Sequence, residues 1–189
     1  MNKFAVKGLT LALMMAGGSA MAALPSGATG TTVSGGSVHF TGSVVDAACA
    51  VSQDSVNKEV PLDQVRLAAF GTTPGAGVAA GQKKAFSITL ADCDSTVSSQ
   101  AAVTFNGTEP QGLPGALDNT AGAGGAQGIG IQIYDADGSA LPLGQESKAT
   151  TLIDGTNNLN FTADYITTSD TAPTAGTVDA TATFNVTYQ

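Results

Sequence analysis

Catalysis needs side chains that take up protons, carry nucleophiles or hold metals, and this sequence offers few of them in useful spacing. Its one histidine, His39, alternates with Val38 and Phe40 and has no acid or nucleophile beside it, so it reads as a polar-face strand residue rather than a general base. Ser55-Val56-Asn57-Lys58 has the S-x-x-K spacing of penicillin-interacting serine enzymes but lacks their companion motifs. Asp92-Cys93-Asp94 sets two carboxylates beside a cysteine. Asp135-Ala136-Asp137-Gly138 starts like a calcium loop, yet Ser139 onward supplies neither the further oxygen ligands nor the terminal Glu, so a hairpin turn is the better reading. The Gly75–Gly81 run misses a dinucleotide-binding spacing by one residue and has no βαβ context. The glycosylation sequons at Asn106, Asn160 and Asn185 read as chance matches, since two of them fall in predicted strands. No enzyme, cofactor or metal is expected.

The elements that surround these residues begin with an export signal. Lys3 and Lys7 precede an apolar run from Gly8 to Ala16 and a small-residue exit at Ala20-Met21-Ala22. That order is a secretory signal peptide over residues 1–22, and the run is too short to span a bilayer. Its removal takes Lys3 and Lys7 with it and moves the formal charge from −8 to −10. Such an acidic chain does not suit nucleic acid, which needs clustered cations. Cys49 and Cys93 both lie in the exported part, where an even count favours one disulfide. One histidine and two distant cysteines do not make a zinc site.

After the signal, helical periodicity is scarce and strict alternation recurs. Phe86, Ile88 and Leu90 form one set, Val103 and Phe105 another, and Ile129, Ile131 and Ile133 a third. Leu159 to Tyr165 and Val178 to Tyr188 continue the pattern, with turn signals at Thr72–Gly75, Asn106-Gly107, Asp137-Gly138 and Asp154-Gly155. The reading is an all-β, meandering antiparallel protein, most simply a two-sheet sandwich. Gly112–Gly130, rich in Gly and Ala, reads as an exposed loop. Lys58–Phe70 could be a strand followed by a short helical turn.

The two ends then fit together. Gly176–Gln189 is an unbroken strand pattern with no residues after it to cover its other edge. At the other end Val38, Phe40, Gly42 and Val44 form a well-patterned strand on a leader rich in Gly, Ser and Thr. One free edge and one free strand suggest exchange between molecules, because an uncovered edge is a template for pairing.

The block Thr31–Ser52 (TTVSGGSVHFTGSVVDAACAVS), Pro61–Arg66 (PLDQVR), Leu90–Asp94 (LADCD) and the ending DATATFNVTYQ resemble the pilins of bacterial chaperone–usher fimbriae, over nearly the whole mature chain. The most specific match is the ending, where Tyr188 is penultimate and Gly176 lies fourteen positions from the end. The resemblance implies an incomplete immunoglobulin-like two-sheet sandwich that lacks its last strand. A donor strand from another subunit completes such a sandwich, a mode of strand addition already well described. It also implies a domain division of 1–22 signal, 23–43 N-terminal donor extension and 44–189 pilin domain. Val38, Phe40, Gly42 and Val44 would be the inserted face, with Gly42 where the groove is too shallow for a side chain. Gly176, Val178, Ala180, Ala182, Phe184, Val186 and Tyr188 would form the acceptor groove and the strand that a chaperone binds.

The implied partners are other copies of the chain in a head-to-tail polymer, a periplasmic chaperone, an outer-membrane usher, and minor and tip pilins. The implied destination is the surface of a Gram-negative bacterium, reached through the periplasm. The alternatives are a minor adapter or single-domain adhesin on the same scaffold, or an ordinary first strand that folds onto its own domain.

Overall fold

The computed structural model describes residues 34–44, 46–72 and 75–189. The predicted signal and the start of the predicted extension lie outside them. The chain divides between Gly42 and Ser43. In the first part, residues 34–42 take no regular secondary structure and their side chains are exposed.

The second part contains, in chain order, β1 (Ala50–Val51), the single helical turn α1 (Gln53–Val56), β2 (Lys84–Cys93), β3 (Gln100–Gly107), β4 (Leu117–Asp118), β5 (Ile129–Tyr134), β6 (Thr150–Thr151), β7 (Gly155–Thr167) and β8 (Ala182–Tyr188). One sheet runs β1-β2-β7-β5-β4 and the other β6-β3-β8, all pairs antiparallel. This is an immunoglobulin-like sandwich missing a strand. It is not a meander, because the long pairings β2–β7, β5–β7 and β3–β8 join strands remote in sequence. Alternation specifies which face of a strand is buried and leaves its partner open.

The core lies between the sheets. Register sets Phe86 opposite Phe161 and Ile88 opposite Leu159, so successive inward side chains of β2 and β7 stack as cross-strand pairs. Phe105 of β3 meets Phe161 edge-on at 5.0 Å between centroids and also approaches Phe86 at 6.0 Å. Around this aromatic centre Leu90, Val103 and Leu159 are buried. The disulfide Cys49–Cys93 ties the start of β1 to the end of β2. Closing a loop with a sequence separation of 44 removes about 4 kcal/mol of chain entropy from the unfolded state on the loop-closure model.

Several sequence expectations are corrected. Asn106-Gly107 is not a turn; it ends β3, with Gly107 opposite Ala182. A Cβ there would stand 2.3 Å from Leu117 Cδ2, so glycine serves close packing between the sheets. Gly112–Gly130 is not simply an exposed loop, because it supplies β4, the first two residues of β5 and the buried Ala116, Leu117 and Ala126. Its small residues let backbones approach closely, which composition alone reads as floppiness. The strand predicted from Val178 begins only at Ala182, because β3 ends at Gly107 and the chain before Ala182 bonds elsewhere. Lys58–Arg66 forms no strand, although the helical turn appears as a 3-10 helix at Leu67–Phe70.

Among the described residues no helix is long and apolar enough to cross a membrane.

Candidate acceptor groove

Among the described residues β8 is hydrogen-bonded on one side only, to β3. In an antiparallel pair, residues alternate between those that bond across the ladder and those that point their amides away. The carbonyls of Val103 and Phe105 accept from Ser147 and Gly144, so they face away from β8. Their register partners Val186 and Phe184 therefore direct their own N–H and C=O groups at the opposite, open edge. Ala182 and Tyr188 share that phase. The chain just before β8 keeps it, because Thr177 and Asp179 bond the 119–126 segment while Val178 and Ala180 have no backbone partner among the described residues. From Val178 to Tyr188 every second residue thus offers its side chain inward and its peptide groups outward.

The inward side chains of β8 are only half-buried, whereas Ile129, Ile131 and Ile133 of β5 are fully buried. The reason is a missing cover. Three cavities of about 510, 570 and 600 Å³ follow the wall from Gly176 to Phe184. The first shares Tyr165 and Val178 with the second, and the second shares Val60, Phe86 and Ala182 with the third. They form one interrupted groove.

Its second wall is Val51–Phe70. Leu62 packs its half-buried side chain on the core, half-buried Val60 lines the second and third cavities, and Val65 packs on a smaller cluster of Phe70, Ala126 and Ile129. No backbone–backbone hydrogen bond engages Lys58–Val65 among the described residues. Both walls therefore present unpaired peptide groups above an apolar floor of Phe86, Ile88, Phe105, Leu117 and Ile131. That is the environment a single extended, alternately apolar strand would complete.

The sequence-predicted residues fall in this frame as follows. Val178, Ala180, Ala182 and Phe184 line the cavities. Gly176 lines the first cavity, and a Cβ on it would stand 2.3 Å from the Ala126 nitrogen and 2.6 Å from the Gly124 oxygen. Val186 and Tyr188 pack on the core beyond the last cavity. Tyr188 Oη donates to the Cys49 carbonyl at 3.1 Å, and partial burial raises its pKa above the usual phenol range. Of the predicted donor face, Val38 and Phe40 are 76% and 87% exposed, and Gly42 and Val44 are exposed as well.

Ile131 and Tyr165 were read as strand residues but not as part of a groove, and neither Leu117 nor the second wall was assigned to it. The alternation Val60-x-Leu62 was the only local signal for the wall. Leu117 sat within the Gly-rich segment and gave none.

The residues that hinted at chemistry are otherwise engaged. Ser55 is buried, and its hydroxyl accepts from the Thr89 N–H at 2.8 Å. Asp135 accepts from the backbone of Ala136 and Lys148, each at 2.7 Å, inside the predicted hairpin turn. Asp137 pairs with Lys148 and accepts from Ser139, which together hold its carboxyl below the usual range. Among the described residues no group of His, Cys, Asp and Glu could hold a metal ion.

The fold and groove define a class: an immunoglobulin-like sandwich with one strand position open along its last strand. The chain belongs to the fimbrial protein family, whose sequence profile matches residues 38–189. It is 42% identical over 184 residues to the type-1 fimbrial protein A chain of Escherichia coli K12, covering 95% of this chain and 98% of that one. The fimbrial subunit type 1 of Klebsiella pneumoniae gives the same identity and coverage. Among solved structures, a chaperone–usher pilus studied for rod uncoiling superposes with a TM-score of 0.67 at 30% identity, covering 84% of this chain and 99% of that one. The P pilus rod subunit PapA superposes with 0.63 at 27% identity, covering 76% and 100%.

Proposed function

We propose that this chain is a structural shaft subunit of an adhesive chaperone–usher pilus and polymerises by donor-strand exchange. The observation that carries the reading is the row of outward peptide groups from Val178 to Tyr188 beside an uncovered apolar floor. The donor is the extension 23–43 running into Val44, with Val38, Phe40 and Val44 as apolar anchors and Gly42 where the groove is shallow. Each fully buried anchor contributes about 1.5–3 kcal/mol, and the strand adds backbone bonds on both walls at about 0.5–1.5 kcal/mol each. Ordering the donor offsets much of this, so the durability of a fibre rests on slow unzipping.

Donor face and groove are different surfaces, so repeated docking is heterologous and builds an open filament. The relatives bear names of fimbrial subunits, and the structural neighbours include pilus rod subunits, which supports the shaft role. On this reading residues 1–22 direct export, a periplasmic chaperone lends a strand to the groove of residues 44–189, and an outer-membrane usher exchanges it for the next subunit's extension. Minor and tip pilins complete an extracellular fimbrium on a Gram-negative cell.

The test is to delete residues 23–43 and melt the remaining chain with and without a peptide of residues 33–45. A large rise in melting temperature with peptide is expected. Equal melting temperatures would remove the basis of the exchange. Electron microscopy of cells that export this chain separates shaft from minor adapter or single-domain adhesin: abundant rods that vanish on its deletion are expected.

A further inference from the structure

We infer that Asn119 is a positioning residue that presets the head of the groove wall for an incoming strand, an inference that rests on the strand-acceptance reading above. The wall before β8 cannot be held by β3, which ends at Gly107. It is held instead by the 119–126 segment, and that pairing is incomplete. Thr177 N–H donates to Gly124 and the Thr177 carbonyl accepts from Ala126, at 3.1 and 2.9 Å. The Asp179 carbonyl accepts from Thr120 at 2.8 Å. The Asp179 N–H is left without a backbone acceptor.

Asn119 fills the gap. Its Oδ1 accepts from Asp179 N–H at 2.9 Å and from Ala121 N–H at 3.2 Å. Its Nδ2 donates to the carbonyls of Ala126 at 2.8 Å and Thr177 at 3.0 Å. Two N–H groups face the oxygen and two carbonyls face the nitrogen, so only one orientation of the amide satisfies all four. Both bonds to the wall reach Thr177 and Asp179, the residues whose phase leaves Val178 and Ala180 pointing their peptide groups into the groove. With Asn119 in place the wall needs no ordering when a strand arrives, and preorganised sites bind faster and tighter for that reason.

The test uses the full chain and a fluorescent peptide of residues 34–44, with the association rate read by anisotropy and the melting temperature measured alongside. Asn157 provides a matched control. Its side chain bonds Ile153 N–H and C=O at 3.0 and 2.7 Å, and it lines none of the three cavities. Asn119→Ala is expected to slow peptide association about tenfold, the scale of losing hydrogen bonds that hold the wall, while Asn157→Ala lowers the melting temperature and leaves the rate at the wild-type value. Equal rates for wild type and Asn119→Ala, or equal slowing by both variants, would overturn the role of Asn119 and leave strand acceptance standing. Failure of the chain lacking residues 23–43, whose groove its own donor segment cannot fill, to bind the peptide would remove strand acceptance itself. If Asn119→Ala does not fold, amide exchange on the wild type decides: Asp179 must be protected before peptide is added, and Val178 and Ala180 only afterwards. An Asp179 amide that exchanges as fast as Ala180 overturns the inference.

Discussion

The phenolic Oη of Tyr188 donates a 3.1 Å hydrogen bond to the backbone carbonyl of Cys49. This one contact joins the end of β8 to the residue that carries the disulfide. The contact sets the end of β8 against the chain that leads into the second wall at Val51.

Tyr188→Phe should keep the ring packing and remove only that bond. The expected loss is about 1 kcal/mol, the net worth of one hydrogen bond, seen as a lower urea midpoint with an unchanged slope.

Gly176→Ala should cost about 1–3 kcal/mol, since backbone atoms of Ala126, Gly125 and Gly124 occupy the space of the new Cβ and must shift. Thermal melting checks the size. Donor-peptide affinity should fall as well, because the displaced backbone of Gly124–Ala126 holds Thr177 at the head of the wall.

Phe40→Ala in the donor peptide should weaken binding about 30- to 150-fold, the value of about 2–3 kcal/mol of lost aromatic burial. Ala182→Arg should leave the chain folded but unable to polymerise, since a long cation would occupy two adjacent cavities that share Ala182. Size-exclusion chromatography and electron microscopy report the second outcome.

Removing the disulfide by the paired substitutions Cys49→Ser and Cys93→Ser should lower stability by about 2–5 kcal/mol. Guanidinium titration of the two forms gives the difference.

The pH response has two limbs. Burial is the main cause that raises the pKa of Tyr134, Tyr165 and Tyr188, with Asp164 adding to the first two and Asp63 also to Tyr165. A raised phenol favours the neutral form in the fold, so this stability is complete below about pH 10, the unfolded value, and is lost as pH rises through the folded values. At the acid end, Thr96 lowers Asp94, Lys148 and Ser139 lower Asp137, and Ser95 lowers Asp154. Their contribution is present above about pH 4 and is lost as pH falls through the folded values. Melting temperature against pH should thus decline above pH 10 and below pH 4, with the acid limb weaker in high salt because those carboxyls are exposed.

Most of the long strands were legible. Phe86-x-Ile88-x-Leu90 and Leu159-x-Phe161-x-Ala163 each have one face in the core, and a buried face with a period of two writes itself into sequence. Central β7 was legible although both its edges are paired, because pairing consumes backbone groups and leaves the side-chain pattern intact. The two-residue strands β1, β4 and β6 were not, since two residues carry no period. Thr177–Asp179 misled the reading because its alternation continues that of β8 while its hydrogen bonds go to a different partner.

The groove was half legible for the same reason. The β8 wall carries an apolar alternation that names Val178, Ala182, Phe184 and Val186. The opposite wall is irregular, and Val60, Leu62 and Val65 became wall residues only where the fold brings Lys58–Arg66 across from Gly176–Phe184. Sequence by itself determined the alternating strands and the pair of cysteines, because these are written in residue type and local spacing along the chain. Tertiary structure alone decided which strands neighbour each other, how the Gly-rich segment packs, and that the edge of β8 stands open, because each is a relation between backbones far apart in sequence.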